Sequence, residues 1–248
     1  MTPGWHQDGT GMAPGVTGRG PGTVLQVRPL PAPTCPRCDS VLREPRASSR
    51  AWSSAWSRAW SSAWHCERHG AVYPLRTGLS PSRQGLDGLL RGAAVPAWLP
   101  WPLPPGWLVT GFAAAGDERS GTRGCVVALS GPNPVGGPGE MLLVSEELGV
   151  GLGARFAGLA GPDPGADFAA GPADALVQFS NHEFPLWHVA APGCAAFAGE
   201  VMGSWLWLVL WPDTAGMLMI EPLPLRDLRD PGQDLDLPFG ARSPRLPG

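Results

Sequence analysis

The sequence predicts an α+β protein: a small Cys/His-bearing ribbon followed by a mostly antiparallel β domain with one or two helices. Three observations predict it. Cys35-Pro36-Arg37-Cys38 is answered by Cys66-Glu67-Arg68-His69, two pairs at the same spacing. Between residues 107 and 231, short apolar runs alternate with Gly/Pro/Asp turns of hairpin length, which favours antiparallel pairing over helical crossovers. One of these runs, Trp205–Trp211, is apolar at both parities, the pattern of a strand buried on both faces.

Composition sets the outer bounds. Gly 35 and Pro 30 make up about a quarter of the 248 residues, the level at which disordered stretches are expected. A hydrophobic content of 43% still permits a real core. There is no lysine, and Ile220 and Tyr73 are the single isoleucine and tyrosine. That points to a GC-rich genome and makes the Ala, Gly, Pro and Arg counts poor guides to function. Residues 1–33 have little apolar periodicity and are expected to be disordered or to reflect a mis-assigned start. They lack the apolar centre of a signal peptide. Trp205–Trp211 is far too short to span a bilayer. A cytoplasmic location, away from membranes, is the expectation.

Residues 34–77 form the expected ribbon. A Cys-x2-Cys turn aims two thiolates at one metal, and Cys66 with His69 closes a tetrahedron. Zn²⁺ favours such a set, and four protein ligands leave no open position for water, so the ion would be structural. The alternative nitrogen ligand is His65. Free thiols or a disulfide are the competing state, disfavoured in a reducing cytosol. The gap of 27 residues between the pairs exceeds the usual spacing of about 15–20. Residues 49–64 explain the excess: they are four tandem Ser-x-Ala-Trp units ending at Trp52, Trp56, Trp60 and Trp64. The exact repetition reads as a duplication in a tolerant loop, with the tryptophans exposed. An aromatic stripe for a partner is the alternative.

Residues 78–106 connect. Ser80-Pro81 suggests an N-cap and first turn for a helix to about Arg91, weakened by Gly85, Gly88 and Gly92. Val95–Gly106 holds five prolines and should be extended and polyproline-like, pinned to the next domain by Trp98, Trp101 and Trp107. Expected strands are Trp107–Phe112, Cys125–Leu129, Met141–Ser145, Pro185–Val189 and Trp205–Trp211. Met217–Ile220 is the expected returning strand after a turn at Pro212–Gly216. Loops are expected at 117–124, 131–139 and 161–174, with a loop-like tail over 232–248. Cys125 and Cys194 read as small core residues. Residues 34–77 carry seven Arg against three acids, whereas 78–248 carry nine against seventeen. A basic, Trp-bearing ribbon therefore adjoins an acidic domain.

Several stretches match a wording shared beyond this chain. Trp98-Leu-Pro-Trp-Pro-Leu-Pro-Pro-Gly-Trp107, Glu146-Glu-Leu-Gly-Val-Gly-Leu-Gly-Ala-Arg155, Pro185-Leu-Trp-His188, Trp205-Leu-Trp207 and Ser243-Pro-Arg-Leu246 resemble an actinobacterial family of unknown function. Its members pair an N-terminal Cys-x2-Cys…Cys-x2-His zinc knuckle with a Trp-rich C-terminal domain. The resemblance covers about residues 34–246 and departs in the tetrapeptide expansion and the first 33 residues. It implies no established activity, only a weak association with acyl- or phosphotransfer names.

Other chemistry is thin. Gly149-Val-Gly151-Leu-Gly153-Ala154 satisfies G-x-G-x-x-A, but Gly158, Gly161 and Pro162 leave little room for the helix a dinucleotide needs. Glu146 and Glu147 are adjacent, so a strand points them apart. His188, near Glu183 and Cys194 in sequence, lacks a readable activating constellation. Arg119, Arg123 and Arg155 are loop arginines able to bind an anion. The expected function is a non-enzymatic zinc-binding interaction or regulatory module with a protein partner. The alternatives are nucleic-acid binding through Arg37, Arg43, Arg46 and Arg68, or an acyl/phosphotransfer-type enzyme built on the Gly149–Arg155 bend with His188.

Overall fold

The computed structural model describes residues 31–43, 64–166, 168–230 and 235–246. The disorder expected of residues 1–30 and the exposure expected of Trp52, Trp56 and Trp60 lie outside the described residues. Strand β1 (His65–Cys66) and strand β2 (Gly70–Ala71) form a two-residue hairpin. Strand β3 (Leu75–Leu79) follows at once. The last residues of the expected 34–77 ribbon thus run directly into the large sheet, because β3 pairs with a strand of the main domain.

Helix α1 (Arg83–Leu90) forms, but its N-cap is Ser82 rather than Ser80. Ser82 Oγ accepts the Gly85 N–H at 3.1 Å, satisfying one of the first-turn donors that a helix leaves unpaired. Gly85 helps the helix rather than weakening it, because a Cβ there would collide with the Ser80 carbonyl. Leu86 and Leu89 face the core. Ser82→Ala is expected to cost about 1 kcal/mol, read as a lower denaturation midpoint with unchanged slope.

The Pro/Trp connector is partly strand: β4 (Trp98–Pro100) is only three residues long. Trp98 and Trp107 are buried and Trp101 half-buried. The Trp107 ring packs on Gly131, where a Cβ would collide with it, and its far edge comes close to Gly139. Next come β5 (Leu108–Asp117), β6 (Gly121–Pro132) and β7 (Pro138–Glu146). They are longer than the sequence suggested because their turns are tight. Asp117 Oδ1 accepts from the Arg119 and Ser120 N–H groups, confining the first turn to three residues. Asn133 N–H donates to the Gly137 carbonyl, closing the second.

Helix α2 (Leu152–Phe156) is a single short turn. Strands β8 (Ala175–Phe179) and β9 (His182–Val189) form a hairpin that only its second half announced. Its two turn residues, Ser180 and Asn181, both have positive φ, the geometry of a primed hairpin turn. Strands β10 (Ala195–Val201) and β11 (Ser204–Trp211) follow. Where a returning strand is expected at Met217–Ile220, a 3₁₀ helix over Asp213–Met219 forms instead, with Ile220 as its C-cap. Ala215 and Met219 are buried while Met217 and Ile220 are exposed, a spacing that suits a helical turn and not a strand. Strand β12 (Leu223–Asp227) completes the set.

The large sheet has ten strands in the order β3-β5-β6-β7-β11-β10-β9-β8-β12-β4. Its pairings are antiparallel except β12 with β8. With two α-helices and one 3₁₀ helix among the described residues, this is the mostly antiparallel α+β architecture expected. The sheet curls, so that Trp98 and Leu99 of the far edge join Phe112, Leu143 and Leu208 in one inner core. A second core on the outer face holds Val126, Leu142, Trp207 and Val209, covered by Leu152, Ala154 and Leu246. The β11 residues alternate between the two cores, so this strand is buried on both faces. An aromatic cluster links Phe168 edge-on to Trp187 and Trp205, centroids 5.5 and 5.1 Å away.

Candidate metal centre

The knuckle is built by backbone first. Cys35 N–H donates to the Ser40 carbonyl, Asp39 N–H to the Cys35 carbonyl, and Leu42 N–H to the Pro33 carbonyl. These bonds fold Cys35–Ser40 into a turn, with Asp39 at φ +61°. The β1–β2 turn presents Cys66 and His69 opposite it. Thr34 exchanges two backbone hydrogen bonds with Leu75, at 2.9 and 2.8 Å, and so stitches the turn to β3.

Cys35, Cys38, Cys66 and His69 come together, with one donor atom from each lying within 4.8 Å of the other three. Cys35 Sγ is 3.5 Å and Cys66 Sγ 3.7 Å from His69 Nδ1, and Cys38 Sγ is 3.7 Å from Cys66 Sγ. Zn–S bonds of about 2.3 Å imply tetrahedral S···S edges of about 3.8 Å, so the spacing fits a four-coordinate ion. The group can therefore hold a metal such as zinc. His65 is exposed on β1 and lies outside it. Burial pushes the Cys35 thiol up to about 11. At Cys38 burial also resists ionisation, but hydrogen bonds from Ser40 and the neighbouring thiols outweigh it and bring the thiol down to about 6.

Packed beneath the donors are Leu42, Trp64 and Val72. Trp64 is 8% exposed, which corrects the expectation that all four repeat tryptophans are exposed. The last unit supplies a core residue, and its Trp64 carbonyl accepts the Val72 N–H.

The knuckle docks on the Gly149–Arg155 bend. Arg37 Nε donates to the Val150 carbonyl at 3.3 Å, and Arg37 Nη2 donates to the Gly149 carbonyl. Asp39 pairs with Arg155 at 2.7 Å. Of the arginines named for the nucleic-acid alternative, Arg37 is thus turned inward, Arg43 and Arg68 are exposed, and Arg46 lies outside the described residues. The bend itself is filled by the protein. Glu146 accepts the Leu152 N–H at 2.6 Å and the Gly153 N–H at 2.9 Å. The amides a phosphate would use are already bonded to the Glu146 carboxyl group. Gly153 lies against the Trp207 indole, where any side chain would collide. Its glycine is explained by packing.

Glu146 and Glu147 do diverge: Glu146 is buried, and Glu147 pairs with Arg123 on the surface. The buried capping role of Glu146 was not read from sequence, although an acid shortly before Gly-x-Gly and a helical turn is its signal. His188 is exposed on β9, edge-on to Phe197 with centroids 5.7 Å apart. It is absent from the lining of the cavity beside Arg155. Cys125 and Cys194 are buried in the inner and outer cores. Among the described residues no helix is long and apolar enough to cross a membrane.

Fold and site together define a class: a curled, mostly antiparallel β protein carrying a Cys₃His candidate metal group at one edge. The chain belongs to the family of unknown function DUF6758, whose model matches residues 30–246. No curated protein and no solved structure matches the chain.

Proposed function

We propose that Cys35, Cys38, Cys66 and His69 hold one structural Zn²⁺, and that the protein is a cytoplasmic, non-enzymatic zinc-ribbon module that acts by binding a protein partner. The observation that carries the reading is the four-donor group at tetrahedral spacing, with Cys35 and Cys66 buried. Four protein donors complete a zinc shell and leave no position for a substrate or a reactive water. The filled bend at Glu146 and the absence of His188 from the lining of the cavity beside Arg155 lend no support to transfer chemistry. An actinobacterial setting is part of the reading, supported by the absence of lysine and the single isoleucine.

Metal content of protein purified without added metal tests the core of this reading. One zinc per chain is expected in the native protein, and less than a tenth of that in Cys35→Ser, since losing one thiolate costs zinc affinity several-fold to many-fold. A native protein free of zinc overturns it. Affinity capture from the native cell, with Arg43→Glu/Arg68→Glu as the contrast, tests the partner. Recovery of the same protein with both versions at equal yield would remove the exposed basic face from the interface.

A further inference from the structure

We infer that the seam between the knuckle and the sheet is a binding site for a small oxyanion, a phosphate or carboxylate group. The site is a cavity of about 260 Å³ whose wall includes Thr34 and Asp39 from the knuckle, and Thr77, Arg155, Phe156 and Arg245 from the sheet side. Arg155 is the key. Its Nη2 donates to Asp39 at 2.7 Å, and its guanidinium lies over the Phe156 ring, 5.2 Å from the centroid. Its Nη1 is fully buried and has no hydrogen-bond partner among the described residues. Asp39 therefore leaves part of the Arg155 guanidinium's hydrogen-bonding capacity unused.

The cavity lining favours an anion. Arg155 and Arg245 outnumber Asp39, so the cavity wall carries a net positive charge. Arg245 is held by stacking on Trp211, with its guanidinium carbon 4.3 Å from the ring centroid. Stacking fixes the plane of a guanidinium while leaving its in-plane N–H fork to meet an oxyanion. The Thr34 and Thr77 hydroxyls can donate as well, and the Phe156 ring offers an apolar side to the body of a small molecule. The ligand would therefore bridge two parts of the protein. Asp39 follows Cys38 directly, so its carboxylate is placed by the knuckle turn, whereas both arginines belong to the sheet domain. Occupancy would strengthen the docking of one on the other. This holds whatever ion the four donors take.

The test uses the intact protein, inorganic phosphate and succinate as probes, and sodium chloride at matched ionic strength as the reference. Melting temperature and calorimetric titration are both read. Phosphate or succinate is expected to raise the melting temperature above the chloride reference. Arg245→Met, which leaves the Asp39–Arg155 pair intact, should weaken binding about tenfold, the loss of one charge-assisted contact. Thr77→Val should weaken it by a smaller factor without altering charge. A preference for phosphate assigns a phosphoryl ligand, and a preference for succinate assigns a carboxylate. No response to either probe beyond chloride overturns the inference, as does an undiminished response in both Arg245→Met and Thr77→Val.

Discussion

Cys66→Ser is expected to release the metal and unfold the knuckle while the ten-stranded sheet stays folded. The knuckle cannot hold itself. Its buried side chains are Cys35, Leu42, Trp64, Cys66 and Val72, and two of those five are proposed ligands. Its strands are two residues long. A module with so small a core depends on its metal, and structural zinc supplies on the order of 10 kcal/mol of folding free energy. A serine hydroxyl is a hard, protonated donor at neutral pH and does not replace a thiolate on zinc. The sheet, by contrast, has two extensive cores that contain none of the four donors.

Hydrogen exchange separates the two responses. The amides of Cys35, Asp39, Leu42 and Val72, each bonded within the knuckle, should lose their protection in Cys66→Ser and in chelated wild type. The amides of Val126, Leu142 and Val209, in strands β6, β7 and β11, should keep theirs. An intermediate response is expected along 147–155. Arg37 and Asp39 would no longer hold the Gly149 and Val150 carbonyls and Arg155, so that bend loses one wall. Full protection of the knuckle amides after chelation would show that no metal sustains it, and the structural-zinc reading would fall with it.

What could be read from sequence follows from the range of the forces involved. The Cys35/Cys38 and Cys66/His69 pairs were legible because ligand spacing is local and metal geometry is strict. The strands around Val127, Leu143 and Leu208 were legible because a sheet buried on both faces leaves an unbroken apolar run. Two kinds of feature were not. The first is structure set by a distant partner. Strand β3, Leu75-Arg-Thr-Gly-Leu79, has weak local preference and exists because β5 pairs with it. The parallel contact of β12 with β8 joins residues far apart in the chain, and hairpin logic cannot reach it. The second is a residue whose role depends on what approaches it. Met217–Ile220 has strand composition, yet Ala215 and Met219 are buried while Met217 and Ile220 are exposed, and that selects the 3₁₀ turn. Asp39 and Arg155 are far apart in the chain, and only the fold sets them face to face.

Glu146 should make the protein less stable as pH rises from about 4.5 to beyond 7, opposite to the usual carboxylate. Burial pushes its carboxyl from the ordinary 4.5 up to about 7. The N–H groups of Gly153, Leu152 and Gly151 and the charge of Arg37 pull the other way, without compensating. The folded state therefore binds a proton that the unfolded state has already released across this window. Stability falls wherever the native state holds more protons than the unfolded one. The contribution is fully present below about 4.5 and is lost as pH rises through about 7, on the order of 3 kcal/mol in total. Acid release of metal from the knuckle acts in the opposite sense, so the wild-type curve alone would mix the two. Glu146→Gln separates them: its carbonyl still accepts a helix N–H, its size is unchanged, and it cannot titrate. The stability difference between wild type and Glu146→Gln, from denaturant unfolding at a series of pH values, should shift against the wild type by about 3 kcal/mol between pH 4.5 and 8. Glu146→Ala should be worse than either at every pH, by about 2–5 kcal/mol, because the Leu152 and Gly153 donors are then left buried without acceptors. A pH-independent difference would mean that Glu146 stays ionised throughout. The helix-end amides would then outweigh burial, and the carboxylate would be an ordinary charged cap.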